Sequence, residues 1–382
     1  LYGTKQASRL WQNTLRDYLV SEGFACSLQD PCLYVRHTGK FTIMLGVYVD
    51  DLVVAHNDLE HFHGFRRNFE RRFRSKHLGK LSWFLGMSVD QLADGSIELG
   101  HQKYIKDLVE KFYGNVHQST PFYRTPVNDK SFSCIGNAED DIERSKMVNK
   151  PYISLVGSLL YLSTMSRPDV SFHLSKLCKY MSDPNMACYD CAVHLLLYLL
   201  TTSKFRIRYS RDITVPDGLY NRTAEIKNNM GFVAFSDSSW NVPSPSFGYV
   251  LFLANGPISF ASKTCKSADS SCEAEYTAAA AACRDINFIR ILCTDLGFPL
   301  QGRLALAVDN TAAIDVAQNM GVTGRNKHYG REIHYFREEV HLRRVVGQWV
   351  PTKFQIGDIF TKNLDPTTFY RHRDKLLVGK EL

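Results

Sequence analysis

The chain has no initiator methionine, no signal-like apolar segment at its start and no apolar run of membrane-spanning length. From these absences Leu1 is expected to be an internal point of a longer reading frame. The protein is expected inside the cell, in a cytoplasmic particle or the nucleus, neither secreted nor bound to membrane. A disulfide framework is also missing: ten cysteines are scattered without paired spacing, as free thiols in a reducing compartment would be. The one close pair, Cys188 and Cys191, has no second Cys or His pair at zinc-site distance and precedes an apolar helical stretch, so it reads as packing. There are no long single-residue tracts and no internal repeats. Hydrophobic residues make up 44% and charged residues 22%, a globular composition, and 382 residues exceed one ordinary core, so two or three domains are expected. The net charge of +7 is compatible with a polyanionic partner and equally with none.

What is present is periodic. Residues 41–56 form two β-rich apolar runs broken by Asp50 and Asp51, the pattern of a hairpin with the acids at its tip. Phe62, Phe65, Phe69 and Phe73 follow at helical spacing, interleaved with Arg66, Arg67, Arg71, Arg72 and Arg74, which predicts a helix packed on that sheet. Residues 119–150, with prolines and an acidic stretch at Glu139-Asp140-Asp141, read as a linker or exposed loop, and 151–203 as helical. From Gly231 the pattern predicts a strand (232–236), a strand pair (247–262), an Ala-rich helix (272–296), a strand (303–309), a helix (310–320), a strand (345–350) and a final helix. That order is a mixed sheet with helices, an α/β arrangement.

Acidic residues punctuate these elements. Asp237 would close the first strand, Glu275 would sit one turn into the Ala-rich helix, Asp309 would end a later strand and Asp358 would open the last helix. Each alone reads equally as a surface acid or a helix cap. Together, at strand and helix ends around one sheet, they suit hard divalent cations, which in pairs clamp both oxygens of an in-line phosphoryl displacement. The Asp50-Asp51 pair poses the same problem in miniature: adjacent carboxylates between apolar strands repel unless a cation neutralises them.

These segments resemble the C-terminal part of the Pol polyprotein of copia-type LTR retrotransposons. Leu1 to Ser8 is similar to the family's LYGLKQAP segment, Tyr48-Val49-Asp50-Asp51 to its YVDD box, and Phe84-Leu85-Gly86 to its FLG segment. Ser166-Arg167-Pro168-Asp169-Val170 resembles TRPDI in the connecting region. Asp237 to Trp240, Ser270 to Tyr276, Asp309-Asn310 and Asp358 to Lys362 resemble the ribonuclease H blocks, as Arg325 to His328 with Ile333 to Glu338 resembles the RTKHI…HFIRE block.

The resemblance implies a multi-domain α/β protein. Its parts would be a reverse transcriptase palm and thumb (1–118), a mostly helical connection (119–229), a ribonuclease H-like domain (230–365) and a C-terminal tail (366–382). It implies Mg2+ or Mn2+ as cofactor, held by Asp237, Glu275, Asp309 and Asp358 for cleavage of RNA in RNA–DNA hybrids and by Asp50 and Asp51 for polymerisation. Gly3, Lys5 and Gln6 would border the nucleotide and template pocket. Arg325, Lys327 and His328 would contact a hybrid backbone, or else belong to a plain surface helix. Thr4 and Ser8 depart from the family's Leu and Pro, and Asn241 to Pro245 replaces a longer polar loop. The family's first polymerase Asp lies upstream of the LYG segment. Polymerisation is therefore expected to need the preceding Pol region or a second subunit alongside the template-primer. The alternative function is a non-catalytic retroelement relic that at most binds nucleic acid.

Overall fold

The computed structural model describes residues 4, 6–114, 116–117, 119–240, 245–265, 271–318 and 331–381, with side chains from 334 onward in the last segment. The altered loop after Trp240, residues 241–244, lies outside them. Two compact units divide the chain, residues 1–81 with 286–301 and residues 82–285 with 302–382.

In the first unit, helix α1 (Ala7–Ser21) leads into an antiparallel sheet with β1 (Ala25–Cys26), β2 (Leu33–Thr38), β3 (Phe41–Tyr48) and β4 (Asp51–His56) in spatial sequence, and α2 (Leu59–Arg72) follows. Asp58 starts α2 by accepting the His61 backbone N–H. The Phe stripe falls where its spacing predicts. Phe62, Phe65 and Phe69 are buried, the last two in a core with Leu15, Leu19, Tyr34, Ile43 and Leu45, while Arg67, Arg71, Arg72 and Arg74 are exposed.

The second unit opens with β5 (Trp83–Phe84), β6 (Met87–Gln91) and β7 (Ile97–Gly100), an antiparallel set completed by β8 (Ile207–Tyr209). The connecting chain forms α3 (Gln102–Phe112), α4 (Asp129–Phe132), α5 (Asp141–Met147), α6 (Tyr152–Met165), α7 (Ser171–Cys178) and α8 (Met186–Thr201), with α9 (Thr223–Asn228) beyond β8. Residues 119–150 thus hold two short helices where a loop is expected. Asn128 caps the first through the Lys130 and Ser131 N–H groups, and Asp140 caps the second through that of Glu143. The acidic stretch is a helix start, which the helix dipole favours. Cys188 and Cys191 are buried in α8.

A five-stranded sheet completes this unit: β9 (Val233–Ser239), β10 (Ser246–Leu253), β11 (Gly256–Thr264), β12 (Leu304–Val308) and β13 (Val345–Trp349), in the order β11-β10-β9-β12-β13. The first three pair antiparallel, and β12 runs parallel to both β9 and β13. Helices α10 (Ser271–Asp295, of which the residues from Ile286 belong to the first unit), α11 (Thr311–Gln318), α12 (Arg331–His341) and α13 (Pro366–Leu376) accompany it. This is the mixed sheet with helices that the order of elements predicts. Leu155 and Leu159 of α6 and Leu195 and Leu199 of α8 share one continuous core with Val233, Phe235, Val250 and Ala307 of the sheet. Among the described residues, no helix is long and apolar enough to cross a membrane.

That core encloses an ion pair. The Arg167 guanidinium grips the Asp169 carboxylate with two hydrogen bonds of 2.9 and 2.7 Å, and the Tyr198 hydroxyl donates to the same carboxylate at 2.6 Å. Arg167 also donates to the Thr202 hydroxyl at 2.7 Å. Arg167 and Asp169 are 1% and 0% exposed. Burial alone would raise the Asp169 carboxyl, but Arg167 and Tyr198 outweigh it and hold it below the ordinary carboxylate range. The Arg-Pro-Asp segment is therefore a packing device that ties the start of α7 to the end of α8. Asp169→Ala strands the guanidinium in the core, at an expected cost of about 3–5 kcal/mol. Tyr198→Phe removes one hydrogen bond to a charged group, at about 1.5–3 kcal/mol. Urea denaturation reads both, and an Asp169→Ala protein as stable as the parent would contradict this account.

Candidate metal centre

The parallel pairing of β9 with β12 sets the site. Ala307 lies opposite Phe235, so the same register carried two residues further brings Asp309, just past β12, level with Asp237 on the same face. Glu275 reaches this point from the N-terminal part of α10, where its Oε1 accepts the Ser238 backbone N–H at 3.3 Å. One carboxylate oxygen from each of Asp237, Glu275 and Asp309 lies within 4.8 Å of the other two. Asp237 is 1% exposed and Glu275 7%, with Asp309 half-buried.

Asp358 arrives by a different element from the one expected. It does not open the last helix, which starts only at Pro366; it sits in a short 3-10 segment, Ile356–Phe360. Nor does Asp237 close its strand, since β9 runs on to Ser239. Two glycines let the 3-10 turn press against the sheet. A Cβ at Gly357 would lie 2.9 Å from Asp237 Cβ and 3.0 Å from its backbone nitrogen, and one at Gly248, opposite Asp237 on β10, would collide with Phe360. Gln355 pins the turn from inside. Its fully buried amide donates to the Ser236 carbonyl at 3.0 Å and accepts the Gly357 N–H at 3.1 Å.

Asp358 and Asp237 meet across Lys362, whose ammonium is 2.8 Å from Asp358 Oδ1 and 3.3 Å from Asp237 Oδ2. The Thr361 hydroxyl also donates to Asp237 Oδ2. Burial raises the Asp237 carboxyl well above the carboxylate range, with Asp358 adding to the rise and Lys362 opposing it. Asp358 is raised by burial as well, and Glu275 is pushed up to about 7 by burial, with Asp309 adding and the Ser238 hydrogen bond opposing. Glu275 Oε2 is buried without a hydrogen-bond partner. Hard carboxylate oxygens converging from three elements, one of them orphaned, fit a divalent cation such as Mg2+ or Mn2+.

Asp50 and Asp51 stand in another setting. Tyr48 pairs with Asp51, so Val49 and Asp50 form a two-residue turn between β3 and β4, and both carboxylates are exposed. Val49 has φ +53°, a rare conformation for a β-branched residue, and its carbonyl accepts the Trp11 indole N–H at 2.8 Å. Among the described residues, no third carboxylate gathers with this pair. Gln6 is exposed at the start of α1 and makes no side-chain cap. Gly3, Lys5, Arg325, Lys327 and His328 lie outside the described residues. The sequence alone gives no role to Lys362, Thr361, Gln355, Gly248 or Gly357. The one signal it carries is the i, i+4 spacing of Asp358 and Lys362, which juxtaposes opposite charges wherever the chain coils.

Residues 1–126 match the family model for reverse transcriptase (RNA-dependent DNA polymerase). The whole chain is 30% identical to the retrovirus-related Pol polyprotein from transposon RE1 of Arabidopsis thaliana, of which it spans 25%. It thus covers about a quarter of the length of that relative, and likewise 25% of transposon RE2 from the same plant, at 29% identity. The putative transposon Ty5-1 protein of Saccharomyces cerevisiae is 30% identical over 73% of this chain and 85% of its own length. Among solved structures, the N-terminal ribonuclease H domain of Rv2228c from Mycobacterium tuberculosis aligns with 37% of this chain and 96% of that chain, at 15% identity and a TM-score of 0.25.

The raised carboxyls carry a pH dependence. A group whose folded pKa lies above its unfolded value binds more protons when folded, so stability falls as pH rises through that interval. For Glu275 the interval runs from about 4.3 in the unfolded chain to about 7 in the folded one. Metal-free protein should therefore lose a few kcal/mol of stability across it, and Glu275→Gln should flatten the slope. Urea melts at the two ends of the interval test this; an unchanged slope in the variant would refute it.

Proposed function

We propose, for a chain that belongs to the Pol family of copia-type LTR retrotransposons, that its five-stranded unit is a divalent-metal nuclease cutting the RNA strand of RNA–DNA hybrids. The observation that carries this reading is the convergence of Asp237, Glu275 and Asp309 from two strands and a helix, with Asp358 beside Asp237. Asp237 belongs to both groupings: with Glu275 and Asp309 in one, and with Asp358 across Lys362 in the other. These four hold Mg2+ or Mn2+, which when bound supplies the charge that activates water and stabilises the leaving 3′ oxygen. The protein's own work is to keep the carboxylates convergent and the turn at Ile356–Phe360 seated, so no Ser, Cys or His nucleophile is required.

In the first unit, Asp50 and Asp51 are two of the acids of an RNA-directed DNA polymerase acting on template-primer. With no third carboxylate beside them among the described residues, nucleotide addition draws one from the longer Pol polyprotein or a second chain. Gly3, Lys5 and Gln6 border that pocket, and Arg325, Lys327 and His328 touch the hybrid backbone. The whole works inside the cell, where retroelement nucleic acid is copied.

The test is cleavage of an end-labelled RNA–DNA hybrid with and without magnesium. The parent chain should cut the RNA strand, EDTA should stop it, and Asp309→Asn should slow it by at least about a hundredfold, as loss of one preorganised electrostatic group does elsewhere. Folded protein that leaves the hybrid intact with magnesium present would replace this reading with the relic, a Pol descendant that folds and no longer cuts.

A further inference from the structure

Lys362 is the one positive charge drawn into the carboxylate cluster among the described residues, and its placement is lopsided. It bridges Asp358 and Asp237, at 2.8 Å from Asp358 Oδ1 and 3.3 and 3.4 Å from the two oxygens of Asp237. Among the described residues no cation pairs with Glu275 or Asp309 at ion-pair distance, although Lys362 acts on Glu275 from further off, and Glu275 Oε2 lies buried without a hydrogen-bond partner. The Asp237–Asp358 pair is thus neutralised by the protein itself, and the orphaned Glu275 oxygen is left for something from solution.

The ammonium is held there by its neighbours. The Lys362 backbone N–H donates to the Asp358 carbonyl at 3.0 Å. The next residue, Asn363, is clamped on both sides: its Oδ1 meets His173 Nε2 of α7 at 2.9 Å, and its amide donates to Asp129 of α4 at 2.8 Å. Those helices fix the backbone immediately after the lysine. With its side chain one-third exposed, Lys362 still has room to swing toward solvent.

We propose that Lys362 is an internal counter-cation that stands in for a divalent ion on the Asp237–Asp358 side. This inference rests on the metal-centre reading above. The ammonium stabilises the clustered carboxylates in the metal-free protein and directs the first ion to Asp237, Glu275 and Asp309. Ion binding at Asp358 then requires Lys362 to withdraw, so the two halves of the centre fill with unequal affinity. Lys362 is a positioning residue here, acting through the carboxylates it pairs.

Manganese counts this directly, because free Mn2+ is visible by electron paramagnetic resonance and bound Mn2+ is not. The parent chain should bind a first ion tightly and a second at least about tenfold more weakly. Lys362→Met should tighten the second ion by at least about tenfold and lower the melting temperature without metal, while Lys362→Arg should keep the parent pattern. Should the Met variant fail to fold by circular dichroism, Lys362→Gln is read the same way. A folded neutral variant whose second ion binds as weakly as in the parent, or more weakly, overturns the proposal. Asp309→Asn separates the premise from the inference: if the parent and this variant bind no manganese, the metal centre itself falls and the role of Lys362 with it.

Discussion

Repulsion among four carboxylates brought together at one end of a buried sheet is the constraint around which the second unit is organised. Gathering them costs free energy twice, through desolvation and through like charge. The molecule meets that cost with specific devices. Lys362 and Thr361 engage Asp237, the Ser238 N–H serves Glu275, and Gln355 holds the turn that carries Asp358. The upward displacement of the Asp237, Glu275 and Asp358 carboxyls is the cost that remains, and an incoming cation of high charge would relieve it.

The scaffold behind the cluster is correspondingly stiff. Strand β9 is buried on both faces along its length, flanked by β10 on one side and β12 on the other. Helices α6 and α8 back the same sheet through a continuous apolar core, and the Arg167–Asp169–Tyr198 network ties the segment between α6 and α7 to α8. The helical middle of the chain therefore supports the carboxylates as directly as the strands do, although it holds none of the four. Asn363, bound to His173 and Asp129, carries that support to within one residue of Lys362.

Much of this was legible because local periodicity and tertiary placement agree. The Phe stripe of α2, the hairpin at Asp50 and Asp51, the Ala-rich α10 and the five strands all announce themselves by spacing, and strand ends are where acids can converge. Legibility failed where short segments take their conformation from what they touch. The turn at Ile356–Phe360 is too brief to show a period, and only the closeness of β9 and β10 explains Gly357 and Gly248. Gln355 reads as a surface amide until two strand carbonyls are found within its reach. The caps of α4 and α5 look like loop composition because Asn and Asp serve turns and helix starts alike.

The two glycines bear on how such a centre can be rebuilt. Transplanting the carboxylates alone onto another five-stranded sheet would carry over the charges and lose the approach. Any side chain at position 248 meets Phe360, and any at 357 meets the backbone of Asp237. The transferable unit is thus a pair of bare backbone positions with the acids hung around them. A library that randomised the acids' neighbours while sparing both glycines would sample working centres far more densely than one that spared the acids alone.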